Sequence, residues 1–311
     1  MWTEIIYHFV DGLSFRGRAW NIYRRSGPGW GSDRKGSPVD IDEMVAEVLS
    51  GKKYARLDPS VVRRICMETE PKYPKEKEAL KAVKNELHII HESFLQNDCY
   101  KKAYSRLAQL PLNFDGAQLI EAVTQIMQLH ASTKERLSDI EEICSFLSNY
   151  ITKESSVMDV GCGFNPFMLP LLHEYPKKYY AYDISSEGIE ILNSFFTRIK
   201  KAAYIAGLLD AAVATPGEKV NIVLLLKLLP LLQQQKKGRG YDILEELCFD
   251  QAIVSFPIKS LGGKQKGMEL FYSKSFEDNM PSSLSIIAKR TFSNEMFYVV
   301  TNKAIGEGNR S

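Results

Sequence analysis

The sequence predicts an α/β fold, a Rossmann-like sheet preceded by a helical N-terminal domain. Three observations predict it. From Ser155 onward, near-continuous apolar runs alternate with helical stretches, the pattern of parallel strands buried on both faces. Residues 157 to 166 read Val-Met-Asp-Val-Gly-Cys-Gly-Phe-Asn-Pro, a strand entering a glycine turn, and Asp183 closes the next apolar run. Between Ile41 and about Tyr150, apolar residues instead recur at three- and four-residue steps, the period of a helix face.

The 311 residues, 44% hydrophobic and 25% charged, suit one large or two modest domains with a substantial core. Net charge is +2, so bulk charge does not argue for nucleic acid, and any electrostatic footprint must come from clustering. The five cysteines (66, 99, 144, 162, 248) are scattered and never form Cys-x-x-Cys, which favours a reducing compartment over a disulfide frame or a zinc site. The longest apolar stretch, Val220 to Leu232, contains Asn221, Lys227 and Pro230 and is too short to span a bilayer. Glu4 and Asp11 interrupt the N-terminus, which does not read as a secretory signal, so a cytoplasmic location is expected.

Residues 1 to 40 read as an extension or linker. They hold all three tryptophans and run into Gly27-Pro28-Gly29-Trp30-Gly31-Ser32 and Gly36-Ser37-Pro38; a genuine accessory arm is the alternative. A helical domain is expected over 41–150, with stripes at Leu80, Val83, Leu87, Ile90 and Phe94 and at Leu119, Ile120, Val123, Ile126, Met127 and Leu129. Pro59, Pro71 and Pro74 punctuate it, and Asp58 is placed to cap a helix beginning at Pro59. Lys52 to Lys84 holds ten basic residues against five acids, either a docking surface or a solvated face that happens to be basic. A sheet domain follows over 151–303. Its parallel strands are expected at 157–160, 179–183, 203–209, 220–226 and 252–256, with an antiparallel pair at 285–291 and 295–301 and a tail from Ala304. That is the seven-strand plan of class I methyltransferases.

A carboxylate ending the second strand, about twenty residues after the glycine turn, is placed to hold an adenosine ribose. The turn lacks the third glycine that would let a pyrophosphate approach, because Phe164-Asn165-Pro166 stands there. S-adenosylmethionine, which has no phosphate, is therefore favoured over NAD. His88 and His91 lie three residues apart, but no Cys or carboxylate pattern completes a metal site, and none is expected.

Four motifs occur in order: His130-Ala131-Ser132-Thr133-Lys134-Glu135-Arg136, Asp159-x-Gly161-Cys162-Gly163-Phe164-Asn165-Pro166, Leu225-Leu226-Lys227-Leu228-Leu229-Pro230-Leu231-Leu232, and Ser255 to Glu269. Together they resemble the aminoglycoside-resistance 16S ribosomal RNA methyltransferases of the Arm/Rmt family, over about residues 41 to 303. The resemblance implies a class I S-adenosylmethionine-dependent methyltransferase that modifies guanine N7 in the decoding region. The partner it implies is 16S rRNA within the assembled small ribosomal subunit of a bacterium. N7 carries its own lone pair, so no catalytic base is required. Catalysis then consists of aligning N7 with the methyl donor after the base is swung out of its stack. The new positive charge on the base would spoil a site built for cationic drugs.

The cofactor set implied is Arg136, Gly161, Gly163, Asp183, Asp210, Leu226 and Lys227. Arg136 resembles the family arginine that reaches the methionine carboxylate, with a helix-surface charge as the alternative. Asp210 resembles the adenine-side acid, with helix capping as its rival. Lys227 interrupts an apolar strand end, where a buried lysine requires a role or a partner. Cys162 reads as a small filler and His130 as an organiser of its loop. For RNA, Lys259, Lys264, Lys266 and Met268 surround Gly262 and Gly263, with lysines for phosphates and a thioether for the flipped base. Lys52, Lys53, Arg63, Arg64, Lys81 and Lys84 would add a second contact. Lys227 and Met268 are the expected positioning residues. A methyltransferase of a small molecule or protein and a non-catalytic RNA-binding relative are the other readings.

Overall fold

A computed structural model describes residues 40–91, 94–96, 98–111, 113–258 and 267–303. The leader up to residue 39, the tail from residue 304, and Lys259, Lys264 and Lys266 lie outside the described residues.

Helix α1 (Ile41–Ser50) is capped by Asp40, whose carboxylate accepts the Asp42 N–H at 2.8 Å. Asp58 caps α2 (Pro59–Thr69) in the same way through the Ser60 N–H, with Pro59 in the first turn as expected. Helix α3 (Glu76–Ile90) stops before Phe94, so the last position of that apolar stripe lies beyond the helix. These three helices share a core of their own around Val48, Val61, Ile65, Val83 and Leu87.

The rest of the helical region packs differently. Helices α4 (Cys99–Gln109), α5 (Gly116–Met127), the short α6 (Ala131–Lys134) and α7 (Ile140–Ser148) lie toward the sheet. Leu107, Val123, Ile143 and Leu147 share one buried cluster with Val157, Phe195 and Val299. Residue 150 therefore marks no break in packing, and the described residues fall in one compact unit.

The sheet has seven strands: β1 (Ser156–Val160), β2 (Lys178–Asp183), β3 (Tyr204–Leu208), β4 (Val220–Leu226), β5 (Phe249–Pro257), β6 (Leu284–Thr291) and β7 (Glu295–Asn302), in the order β3-β2-β1-β4-β5-β7-β6. The first five are parallel, and β7 runs antiparallel between β5 and β6, the expected terminal pair. Helix α8 (Ser186–Arg198) joins the first cluster, while α9 (Leu228–Gln235), α10 (Arg239–Glu246) and α11 (Met268–Asn279) contribute to a second one on the other face. Met268 thus opens a helix, where the sequence pattern suggests a loop. Chain order reverses at β1, which lies between β2 and β4, and in such sheets the crevice beyond the strand carboxyl ends at that switch receives ligands. Among the described residues, no helix is long and apolar enough to cross a membrane.

Candidate active site

Strand β1 delivers the chain into a turn where Gly161 (φ +65°) and Gly163 (φ +47°) take left-handed conformations that favour glycine. Space is tight as well: a Cβ on Gly161 would lie 2.7 Å from Leu228 Cδ1, so that leucine would have to shift, and one on Gly163 would lie 3.1 Å from the His130 ring. The turn is tied to β2, since the Gly163 N–H donates to Asp183 Oδ2 at 2.9 Å. Asp183 Oδ1 accepts the N–H groups of Ile184 (2.8 Å) and Ser185 (3.1 Å). A carboxylate offers about four acceptor positions, so Asp183 keeps capacity for a further donor.

A cavity opens at this switch point. Gly161, Gly163, Asp183, Asp210 and the Leu226-Lys227-Leu228 step border it from the sheet side. The N-terminal helices supply the facing wall through Arg64, His91, Phe94, Tyr100, His130 and Ser132. Phe94 stacks on His130 with ring centres 5.9 Å apart, and Phe164 lies 5.5 Å from His130. Ser132 Oγ lies 2.9 Å from His130 Nδ1, so this imidazole organises its loop, as expected from the sequence. Tyr100 Oη and His91 Nε2 are 2.9 Å apart.

Lys227 connects the cavity to a buried polar network. Arg136 makes a bidentate pair with Glu295 at 2.7 and 2.8 Å, both residues being 1% exposed, and also donates to Asn165. Lys227 reaches Glu135 at 2.6 Å and Glu295 at 3.4 Å. Ser255 donates to Glu295, while Asp159 accepts from Tyr179 Oη at 2.8 Å and from Asn165 Nδ2 at 3.3 Å. Burial opposes ionisation of Glu295, but Arg136 and Lys227 outweigh it and hold this carboxyl below its ordinary range. Asp159 has no such ion pair among the described residues, and burial pushes it up to about 7. Burial also raises the Cys162 thiol well above its usual value, which suits a filler rather than a nucleophile.

Burial, with the nearby charges of His91, Arg136 and Lys227 acting the same way, pushes His130 down from 6.5 to about 3. The unfolded chain therefore binds an extra proton between those values, and this stability is lost as pH falls through the window. His130→Gln should spare about 2 kcal/mol of the loss between pH 7 and pH 5. Asp159 contributes in the opposite sense, lost as pH rises from 3.8 to about 7, but equally in both proteins. Urea unfolding of the pair at the two pH values checks it; parallel losses would mean that His130 does not stay neutral.

The structure brings Gly161, Gly163, Asp183, Asp210, Leu226 and Lys227 together around one cavity. Arg136 is neither a surface charge nor a cavity-lining residue; it is buried and paired with Glu295. Lys227 has partners, and its backbone is left-handed (φ +59°) at the start of α9. Among the basic candidates, Lys52, Lys53 and Lys81 are exposed, whereas Arg63 pairs with Asp42 and Lys84 with Glu47. Arg64 corrects the sequence reading: it is buried against Asp210 and turned to the cavity, not to solvent. Met268 is half-buried in the first turn of α11 and does not line the cavity. Sequence reasoning missed His91, Phe94, Tyr100, Ala211, Ala212 and Gln235; the His130 motif was its one signal that the helical region reaches the site.

Known proteins match this architecture. The family described as ribosomal RNA methyltransferase (FmrO) matches residues 50–299. A 16S rRNA (guanine(1405)-N(7))-methyltransferase of Serratia marcescens is 31% identical over 262 residues, covering 84% of this chain and 98% of the relative. The crystal structure of the 16S rRNA methyltransferase RmtF in complex with S-adenosyl-L-homocysteine superposes with a TM-score of 0.77 at 32% identity, covering 86% of this chain and 100% of that one. The 16S rRNA methylase RmtB gives 0.72 at 27% identity, with the same coverage.

Proposed function

The chain belongs to the ribosomal RNA methyltransferase (FmrO) family, and we propose that it methylates N7 of a guanine in the decoding region of 16S rRNA, conferring aminoglycoside resistance. The cofactor is S-adenosylmethionine, which supplies an electrophilic methyl group on a sulfonium centre. The observation that carries the reading is the cavity at the topological switch point. Its residues fit this group: two glycines without Cβ atoms, a ribose-side carboxylate with acceptor capacity left, and small side chains at Ala211 and Ala212.

The target nitrogen has a free lone pair, so the protein needs to remove no proton from it. A neutral His130, held by Ser132, suits a wall rather than a base. Lys227 serves as a positioning residue by tying the segment around Glu135 to the end of β4. The assembled small subunit is the substrate form in this reading, the bacterial cytoplasm is where the enzyme meets it, and no metal takes part. Mass mapping of 16S rRNA after incubating purified subunits with the protein and S-adenosylmethionine tests the function. One methylated guanine in the decoding region is expected; methyl transfer confined to protein or a small molecule would overturn it.

Docking falls to the exposed basic face of the N-terminal helices. Replacing Lys52, Lys53 and Arg63 with alanine should weaken subunit binding and lower its salt dependence by roughly 0.7 to 0.9 log units for each phosphate no longer engaged, with cofactor affinity unchanged. An unaltered salt slope would remove these residues from the interface. Met268 is assigned to the flipped base. Because a thioether acts only by contact, Met268→Ala should lower the single-turnover methylation rate more than it lowers subunit affinity. Equal losses would make it a docking residue.

A further inference from the structure

The segment from Arg56 to Arg64 touches both cofactor-side loops of the sheet. Leu57 forms an antiparallel bridge with Ser185, and the Asp58 N–H donates to the Ile184 carbonyl at 3.0 Å. The Ser186 N–H and hydroxyl both donate to the Arg56 carbonyl, at 2.9 and 2.8 Å. The chain just after Asp183 is therefore held by the chain just before α2. Along that helix, Arg64 Nε donates to Asp210 Oδ2 at 2.7 Å and Nη2 to Oδ1 at 3.3 Å, both residues being 8% exposed. Nη2 also reaches Gln235 Oε1 at 2.8 Å, and Nη1 reaches Glu68 at 3.2 Å.

Asp210 in turn shapes the loop after β3, since its Oδ1 accepts the Ala212 N–H at 3.1 Å. From the far side, Arg239 Nε donates to the Ala211 carbonyl at 2.8 Å. Asp210, Ala211 and Ala212 all border the cavity, so two buried guanidiniums clamp a cofactor-facing loop. A buried carboxylate stripped of its cation is left uncompensated and would move, and the loop it holds would follow. Arg63, one residue away, faces outward and pairs with Asp42.

We propose that Arg64 is a positioning residue of the cofactor site, holding the Asp210–Ala212 loop in the shape that receives the nucleoside end of S-adenosylmethionine. The N-terminal helices then form part of the cofactor site as well as a docking surface. This inference rests on the cofactor reading above.

The test uses the full chain and S-adenosylhomocysteine as the calorimetric probe, with KM for cofactor, KM for subunits and kcat measured on purified small subunits. Arg64→Ala should raise the Kd for S-adenosylhomocysteine and the cofactor KM about tenfold or more. At saturating cofactor, kcat and the subunit KM should stay within about twofold, a split that a general loss of folded protein would not give. Arg64→Lys keeps the charge but loses the bidentate fork, and should fall between; it also carries the test if the alanine variant does not fold. Arg63→Ala should leave the Kd unchanged. An unaltered Kd in both Arg64 variants would overturn the proposal, whether the defect moves to the subunit KM or to thermal stability alone. Wild-type protein that binds no S-adenosylhomocysteine would overturn the cofactor reading and this inference with it.

Discussion

Glu295→Ala is expected to destabilise the fold by about 3 to 5 kcal/mol, the usual cost of removing one partner of a buried ion pair. The carboxylate is the meeting point of Arg136, Lys227 and Ser255, and its removal leaves the Arg136 guanidinium buried with, among the described residues, only Asn165 to accept from it. Lys227 keeps Glu135, so the larger part of the cost falls on Arg136. Glu295→Gln preserves the shape and an acceptor but not the charge, and should cost less. The pH dependence follows from the direction of the shift. Since Glu295 ionises more readily folded than unfolded, its contribution is present above the ordinary carboxylate value of 4.5 and disappears as pH falls below it. Urea unfolding of wild type and both variants at pH 7 checks the magnitude. As a reference, Glu78→Ala, which breaks an exposed pair with Lys75, should cost under about 1 kcal/mol. A Glu295→Ala cost no larger than that would show that the network is not a structural keystone.

The parts of the molecule legible in the sequence are those set by local pattern. The apolar run at residues 157–160 lies within β1, Asp58 does cap the helix that begins at Pro59, and residues 285–301 do form an antiparallel pair. In each case the information lies within a few neighbouring residues. What escaped depends on side-chain direction and distant partners. Arg63 and Arg64 are indistinguishable in a count of basic residues, yet successive positions on a helix point about 100° apart, so one meets solvent and the other Asp210. Arg136 and Glu295 are 159 positions apart, and nothing in either neighbourhood announces the other. The aromatic wall is a similar case. Phe94 reads as a continuation of the α3 stripe, but the helix ends at Ile90, and the ring turns onto His130 instead. Gly161, Gly163 and Asp183 were identifiable because the fold class dictates where they stand, and Asp210 and Leu226 through the family resemblance; residues from the N-terminal helices depend on how the two parts meet.

Asp183→Ala should weaken S-adenosylmethionine binding by about 2 to 3 kcal/mol, roughly 30- to 150-fold in Kd. Two losses combine. The ribose diol would lose the acceptor proposed for it, and the Gly163, Ile184 and Ser185 N–H groups lose theirs, so the glycine turn is no longer tied to the end of β2. Asp183→Asn separates the two. An amide retains one acceptor oxygen but turns an NH₂ toward either the Gly163 N–H or the Ile184 and Ser185 N–H groups, and a donor facing a donor there is unfavourable in both arrangements. The asparagine variant should therefore lose cofactor affinity almost as severely as alanine, while its thermal stability stays closer to wild type because the side chain still fills its place. Calorimetry with S-adenosylhomocysteine, paired with thermal unfolding in its absence, reads both effects. If Asn restored most of the affinity, the carboxylate charge would matter less than the shape of the side chain. An alanine variant with wild-type affinity would remove Asp183 from the cofactor site and leave it only its place in the turn.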